Sequence, residues 1–461
     1  MDSTKQLGTE SISRLIWKFS LPAIVGILVS SLYNVIDRVF IGHSTGRMGI
    51  AAVAICFPIM LVQIAFGAMV GVGATTLVSI RLGEQRRDEA EHIVGNTFTL
   101  VVFISACVTV LGLIFLDPIL RAIGASNEVL PYARNFISII LIGSVFLHTA
   151  LGMNSLINAE GRPGKAMATM MIGTLMNLIL APLFLFVFKW GMKGAASATV
   201  ISQMISFTFV MTHFWSGKSV LRLRLKNMIP SFYIIRSILA LGIAPFILQL
   251  ASSVQNVIMN KSLQRYGGDL AISGMGVVFS IVILMVMPVM GLNQGVQPIM
   301  GYNFGAKNYD RVKETVKKAL FASAAICMVG YLVTRMFPAQ LVGIFNSRDR
   351  EMVAFGKHAL LVAFIFAPLI SLQIVSAAYF QATGKVFLAV FLGLSRQVVF
   401  LLPAMLLLPL YFGIDGVLYS FPVSDALSAV VAIAFLFLEF KRLDSRHELS
   451  LCAEIASTPC S

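Results

Sequence analysis

Charge is what this chain has least of. Only 12% of its 461 residues are charged, against about a quarter in soluble domains, and 57% are hydrophobic. Together with a mean hydropathy of +0.86, this excludes a water-soluble globular domain and leaves an all-α polytopic membrane protein. Acids are scarcer than bases, 21 against 35, for a formal net charge of +14. In a soluble chain that surplus would suggest nucleic acid; here loop topology explains it, and no nucleic-acid partner is expected. The five cysteines (Cys56, Cys107, Cys327, Cys452 and Cys460) lack metal-ligand spacing. Being odd in number, they also argue against a disulfide framework. No zinc-protease, nucleophile-elbow or phosphate-loop motif is present. An enzyme is therefore not expected, nor a metal or other cofactor. The polar stretch Met1–Gln6 and the long first apolar run do not fit a cleaved signal peptide.

What is present is apolar sequence in spanning lengths. Runs of about 20 residues or more fall at roughly 15–41, 50–80, 93–116, 132–157, 166–188 and 194–215. A second set lies at roughly 236–260, 271–300, 316–337, 353–381, 386–410 and 413–439. Twelve spanning helices result, six in each half. The two halves read alike at a fixed spacing of 222 residues. Ser30-Ser31-Leu32-Tyr33-Asn34-Val35-Ile36 aligns with Ser252-Ser253-Val254-Gln255-Asn256-Val257-Ile258, with five of seven identical. Gly73 pairs with Gly295, Gly83 with Gly305, Gly191 with Gly413 and Ser202 with Ser424, without a gap. Six spans return the chain to its starting side, so both repeats have one orientation. They should be related by a pseudo-twofold axis along the membrane normal, with a cavity between the bundles. The expected organisation is an N-terminal bundle at 1–215, a linker at 216–235, a C-terminal bundle at 236–440 and a tail at 441–461.

Of the 35 Lys and Arg, 22 fall in one set of loops and 11 in the other, with Arg38 and Arg396 inside spans. The positive-inside rule puts both termini in the cytoplasm. The linker alternates apolar and basic residues, Leu221-Arg222-Leu223-Arg224-Leu225-Lys226. That pattern suits the anionic lipid surface as well as an ordinary solvated linker.

Few ionisable residues lie within spans, and each needs a reason. Asp37 lies about 33 Å along the first helix by helical rise, in the outer half of a long span. A carboxylate held there can gain and lose a proton between the two sides. Arg38 points about 100° away and is a poor partner. In the second repeat Met259 stands opposite Asp37, so the symmetry is broken by one acid. Pro22, fifteen residues before Asp37, removes a backbone hydrogen bond and is a candidate hinge. Asn34, Asn154, Asn177, Thr199 and Gln203 are the polar groups of the first bundle. Helix-to-helix hydrogen bonding is the simplest role for each, with Asn34, Asn154 and Gln203 the candidates for lining a substrate cavity. Arg396 and Asp425 lie fifteen residues before and fourteen after the turn near Tyr411, hence at one depth. They are expected to form a structural ion pair. His148 is read as hydrogen-bonded to a neighbouring helix.

Several segments together resemble the multidrug and toxic compound extrusion (MATE) family, in its bacterial branch with MepA and DinF. They include Tyr33-Asn34-Val35-Ile36-Asp37-Arg38-Val39-Phe40-Ile41-Gly42, Ser79-Ile80-Arg81-Leu82-Gly83-Glu84 and Ala159-Glu160-Gly161. The others are the run from Asn293 to Lys307, Leu394-Ser395-Arg396-Gln397 and Phe421-Pro422-Val423-Ser424-Asp425. The resemblance implies two six-helix bundles forming a V, and a monomeric exporter of amphipathic, often cationic drugs in exchange for protons or sodium. It also implies that Asp37 is the coupling carboxylate, with Asn177 and Thr199 at the same site. Relatives often carry an aspartate where this chain has Ala181, and its loss favours protons over sodium. A lipid-linked saccharide flippase, of the same architecture, is the alternative.

Overall fold

An apolar chain in lipid must satisfy its backbone internally, and it does so here with helices. The computed structural model describes residues 6–123, 125, 127–216, 219–344 and 350–457. Among them are helices, turns and short loops, and no strand. Ten helices are long and apolar enough to span a bilayer, and two bent pairs bring the number to twelve. In each repeat it is the fourth span that is bent: by 50° between Leu130–Ile142 and Ser144–Ala159, and by 55° between Arg350–Ala363 and Ala367–Ala382. The sequence reading took each as one continuous run. The first break falls at Gly143, where a Cβ would lie 2.4 Å from Val200 of the sixth span. Close approach of that helix, which hydropathy does not register, fixes the bend.

Helical backbone also runs through the expected loops after the first span of each repeat. Helical turns continue between the first and second spans, over Ile12–Gly83 and over Phe232–Gly305, where Gly268 departs at φ 63°. The repeat is legible in the backbone itself. Gln85 and Lys307 both take left-handed φ, 63° and 59°, and so do Gly191 and Gly413, 54° and 57°; each pair is separated by 222 residues.

By contacts the chain divides into two units: Met1–Thr9 with Leu21–Gln249, and Glu10–Ser20 with Leu250–Ser461. Each unit therefore includes the base of a helix whose remainder belongs to the other. In the first unit Gly73 leaves no room for a side chain, since its Cβ would meet the Ile238 carbonyl oxygen at 2.1 Å. Gly242 is likewise filled by the Met69 carbonyl oxygen. In the second unit a Cβ at Gly295 would lie 2.6 Å from Ser20, whose Oγ donates to the Leu292 carbonyl at 3.3 Å. Arg311 Nη2 also donates to the Glu10 carbonyl, at 2.6 Å. Pro22 stands two residues beyond Ser20, where the first helix passes from one unit to the other.

The linker is neither a solvated loop nor simply a lipid-facing strand. It is a strap bound to the first unit. The buried Glu160 carboxylate accepts from Ser219 Oγ, from Leu221 N at 3.3 Å and from His213 Nε2 at 3.0 Å. Asn96 accepts from Ser231 N at 2.7 Å and donates to the Asn227 carbonyl at 3.3 Å. Leu221 and Leu223 face inward, while Arg222, Arg224 and Lys226 remain exposed. The alternation thus places Leu221 and Leu223 on protein and the basic residues outward, while Leu225 is exposed as well.

Candidate functional site

The first unit contains a cleft of about 230 Å³ between its fourth, fifth and sixth spans. Asn154, Asn177, Thr199 and Gln203 all line it, so four of the polar groups singled out from sequence share one wall. Helical spacing explains the grouping. Thr199 and Gln203 are one turn apart on the sixth span, facing Asn177 on the fifth. Asn177 Nδ2 donates to Thr199 Oγ1 at 3.2 Å, and Thr199 in turn donates to the Ala195 carbonyl at 3.1 Å. The Thr199 hydroxyl and one Asn177 N–H are thereby spent within the protein.

The acceptors are not. Asn154 Oδ1, Asn177 Oδ1 and Gln203 Oε1 are shut off from solvent and accept no hydrogen bond among the described residues. Buried polar oxygens normally find a donor. Three residues on one small cleft thus each hold back an unused acceptor, which a turn of the side chain toward the cleft would offer to an N–H group, a protonated acid or a cation. Thr169, Thr174, Ser202 and Ser206 add hydroxyls to the same wall. Sequence reasoning passed over these, because small hydroxyl residues in a helix usually bond back one turn, as Ser202 does to the Ala198 carbonyl at 2.7 Å.

Asp37 is half-buried on the first helix. Phe40, three residues on and so on the same face, packs against Ala181, Phe184 and Ala198. Ala181 is one turn from Asn177, and Ala198 adjoins Thr199. Ser44 Oγ extends the contact by donating to the Leu185 carbonyl at 3.3 Å. Asp37 is therefore about one turn from the residues that clamp its helix onto the two helices presenting Asn177 and Thr199. The Asn34 side chain lies outside the described residues. Among the described residues no three His, Cys, Asp or Glu side chains gather as a metal site would need.

In the second unit Arg396 Nε donates to Asp425 Oδ1 at 2.6 Å, across the fifth and sixth spans. Asp425 is almost wholly buried, and Gln397 Nε2 donates to Ser252 Oγ at 3.1 Å. His148 Nδ1 pairs with Ser105 Oγ at 2.9 Å, tying the fourth span to the third.

Comparison with known proteins agrees with this architecture. The MatE family profile matches residues 22–183 and 245–407, one block in each repeat. The chain is 28% identical over 433 residues to the multidrug export protein MepA of Staphylococcus haemolyticus, covering 94% of this chain and 95% of the relative. It is 26% identical over 425 residues to MepA of Staphylococcus aureus strain MRSA252, covering 92% and 93%. In fold it superposes on an outward-facing multidrug resistance MATE family transporter of the MOP superfamily with a TM-score of 0.91. That match, at 22% identity, covers 95% of this chain and 98% of the other. With the profile matched in both repeats and the fold shared along nearly its whole length, this chain belongs to the MatE family of multi-pass membrane transporters.

Proposed function

We propose that this chain is a multidrug exporter of the bacterial inner membrane, with both termini cytoplasmic, that exchanges inward protons for amphipathic cations. The observation that carries the reading is the cleft of the first unit, where three amide oxygens lack donors beside the helix of Asp37. Such a wall receives a cationic or proton-rich group and repels anions. The resemblance of the whole chain to proteins named as multidrug exporters supports the same direction of transport.

Coupling follows from charge. An ionised Asp37 helps hold a cation; a proton arriving from outside removes that charge and weakens the hold. Pro22, where the helix passes between units, supplies a missing backbone hydrogen bond at which the helix can bend as Asp37 changes state. Protons rather than sodium are favoured because Ala181 stands where relatives carry a second carboxylate. A sodium ion needs several hard oxygens, whereas a proton needs one base.

The test is dye transport in proteoliposomes under a proton gradient or a sodium gradient, each imposed alone. Movement of ethidium with the proton gradient alone is the expected result. Transport driven solely by sodium would overturn the choice of ion, and none under either gradient would overturn the exporter reading.

A further inference from the structure

The strap of the first unit has an outer face as well as the inner one that binds protein. Its backbone is seated on the third span, Arg87–Ile114. Thr99 Oγ1 donates to the Met228 carbonyl at 2.8 Å, and a Cβ at Gly95 would lie 2.1 Å from the Asn227 carbonyl oxygen. By helical rise these contacts fall about 12 and 18 Å from the Arg87 end of that span. They lie inside the apolar run that begins near residue 93. The short helix Leu225–Met228 is therefore level with the first apolar turns of its neighbour, where headgroups give way to acyl chains. The seventh span starts at Phe232, four residues after Met228.

The outer side of the strap fits that depth. Leu225 is 84% exposed, Ile229 69%, Phe232 80% and Tyr233 72%. Leaving four such side chains open to water would be costly. At the edge of a bilayer the apolar ones are buried, and the tyrosine hydroxyl meets the headgroups. Basic residues are interspersed with them. Arg224 lies 3.6 Å from the buried Glu91 carboxylate, which also faces Arg87 at 3.8 Å. Arg222, Lys226 and Arg236 are exposed and pair with no acid among the described residues. Apolar side chains at acyl depth beside unpaired cations suit a partner that is greasy below and negative above. An acidic protein segment would meet the cations but leave the apolar side chains unexplained.

We propose that the strap is a binding site for anionic phospholipid, with Leu225, Ile229 and Phe232 at the acyl boundary and Arg222, Lys226 and Arg236 on headgroup phosphates. The linker is then held by protein on one side, through Glu160 and Asn96, and by lipid on the other. The inference depends neither on the exporter reading nor on which side of the membrane the linker occupies.

The experiment reads the lipid beside the strap with a single tryptophan, Phe232→Trp, in a chain whose Trp17, Trp190 and Trp215 are replaced by Phe. The protein is reconstituted in vesicles of phosphatidylcholine and phosphatidylglycerol, equal in both leaflets, with one lipid or the other brominated. Quenching of the introduced indole should show phosphatidylglycerol enriched about fivefold or more, since each cation at the surface favours an anion by about that factor. The enrichment should fall several-fold in Arg222→Gln/Lys226→Gln. It should persist in Lys307→Asn/Lys317→Gln, which removes the same charge from exposed positions of the second unit. Equal quenching by the two lipids, quenching by neither, or the same fall in both double variants would overturn the proposal. Inorganic phosphate added at constant ionic strength should change nothing, and displacement of the lipid by it would assign the cations to a soluble anion instead. If the single-tryptophan chain does not fold, the phospholipid retained through detergent purification is measured by mass on chains with all native tryptophans. Arg222→Gln/Lys226→Gln should lose phosphatidylglycerol that the wild-type protein and the other double variant keep, and equal retention by all three refutes the site. Neither readout involves transport, so failure here leaves the exporter reading standing.

Discussion

The two repeats of this chain share a backbone and differ in their chemistry. Left-handed residues recur at Gln85 and Lys307 and at Gly191 and Gly413, and the fourth span is broken in both. Even the glycines that admit a neighbouring helix, Gly73 and Gly295, recur. Yet Asp37, Asn177 and Thr199 in one repeat become Met259, Val399 and Phe421 in the other, while Thr174 and Gln203 become Arg396 and Asp425. The positions that set helix packing are held in common, because a helix can approach another closely only where side chains are small. The positions that line the cleft in one repeat differ in the other, where Met259 and Phe421 are core residues, so they do not set the shared packing.

The largest effect should come from the residue that breaks the symmetry most. Asp37→Asn is expected to abolish energised ethidium efflux at normal expression, whereas Met259→Leu, its counterpart, should cost under about 1.5 kcal/mol and leave efflux intact. Efflux assays in intact cells with matched expression check both, and active Asp37→Asn would remove this residue from the coupling mechanism. Next comes the ion pair. Arg396→Ala leaves the buried Asp425 without its partner and should destabilise by about 3–5 kcal/mol, Asp425→Asn should cost less because Arg396 is part-exposed, and Arg396→Met with Asp425→Leu is near neutral. Gln203→Leu, at the position matching Asp425, should stay within about 1 kcal/mol, since its oxygen has no donor to lose. Thermal unfolding in detergent distinguishes these cases.

Smaller and symmetric effects are expected at the packing glycines. Gly73→Ala and Gly295→Ala each push a methyl group into backbone of a crossing helix and should each cost about 1–3 kcal/mol. Unequal costs would show that the two crossings are not equivalent. The smallest effect concerns the cleft wall. Asn177→Ala removes the bond to Thr199 and should cost about 0.5–1.5 kcal/mol. It should raise the KM for a cationic dye several-fold, while Val399→Ala at the matching, exposed position should leave it unchanged.

Much of this was legible in the sequence. The spacing of 222 residues, the spans and the common depth of Arg396 and Asp425 follow from hydropathy and counting. Asp37 was visible because a carboxylate in an apolar helix is costly. The bends of the fourth spans were not legible, since the first falls at Gly143, packed against Val200 of a helix nearly sixty positions away. The strap was ambiguous for a similar reason. Leu221 and Leu223 alternate with arginines whether the apolar side meets lipid or protein, and only Glu160 and Asn96 select protein.

By itself, the sequence determined that this chain crosses a membrane many times, that it was built by doubling, and that one half carries an acid the other lacks. Those properties reside in composition and spacing, which act locally along each helix. The grouping of Asn154, Asn177 and Gln203 on one cleft and the exchange of helix bases at Ser20 and Gly242 were decided only in the tertiary structure. Each depends on how helices rotate and approach one another, and in lipid that is set by small residues and hydrogen bonds from distant parts of the chain.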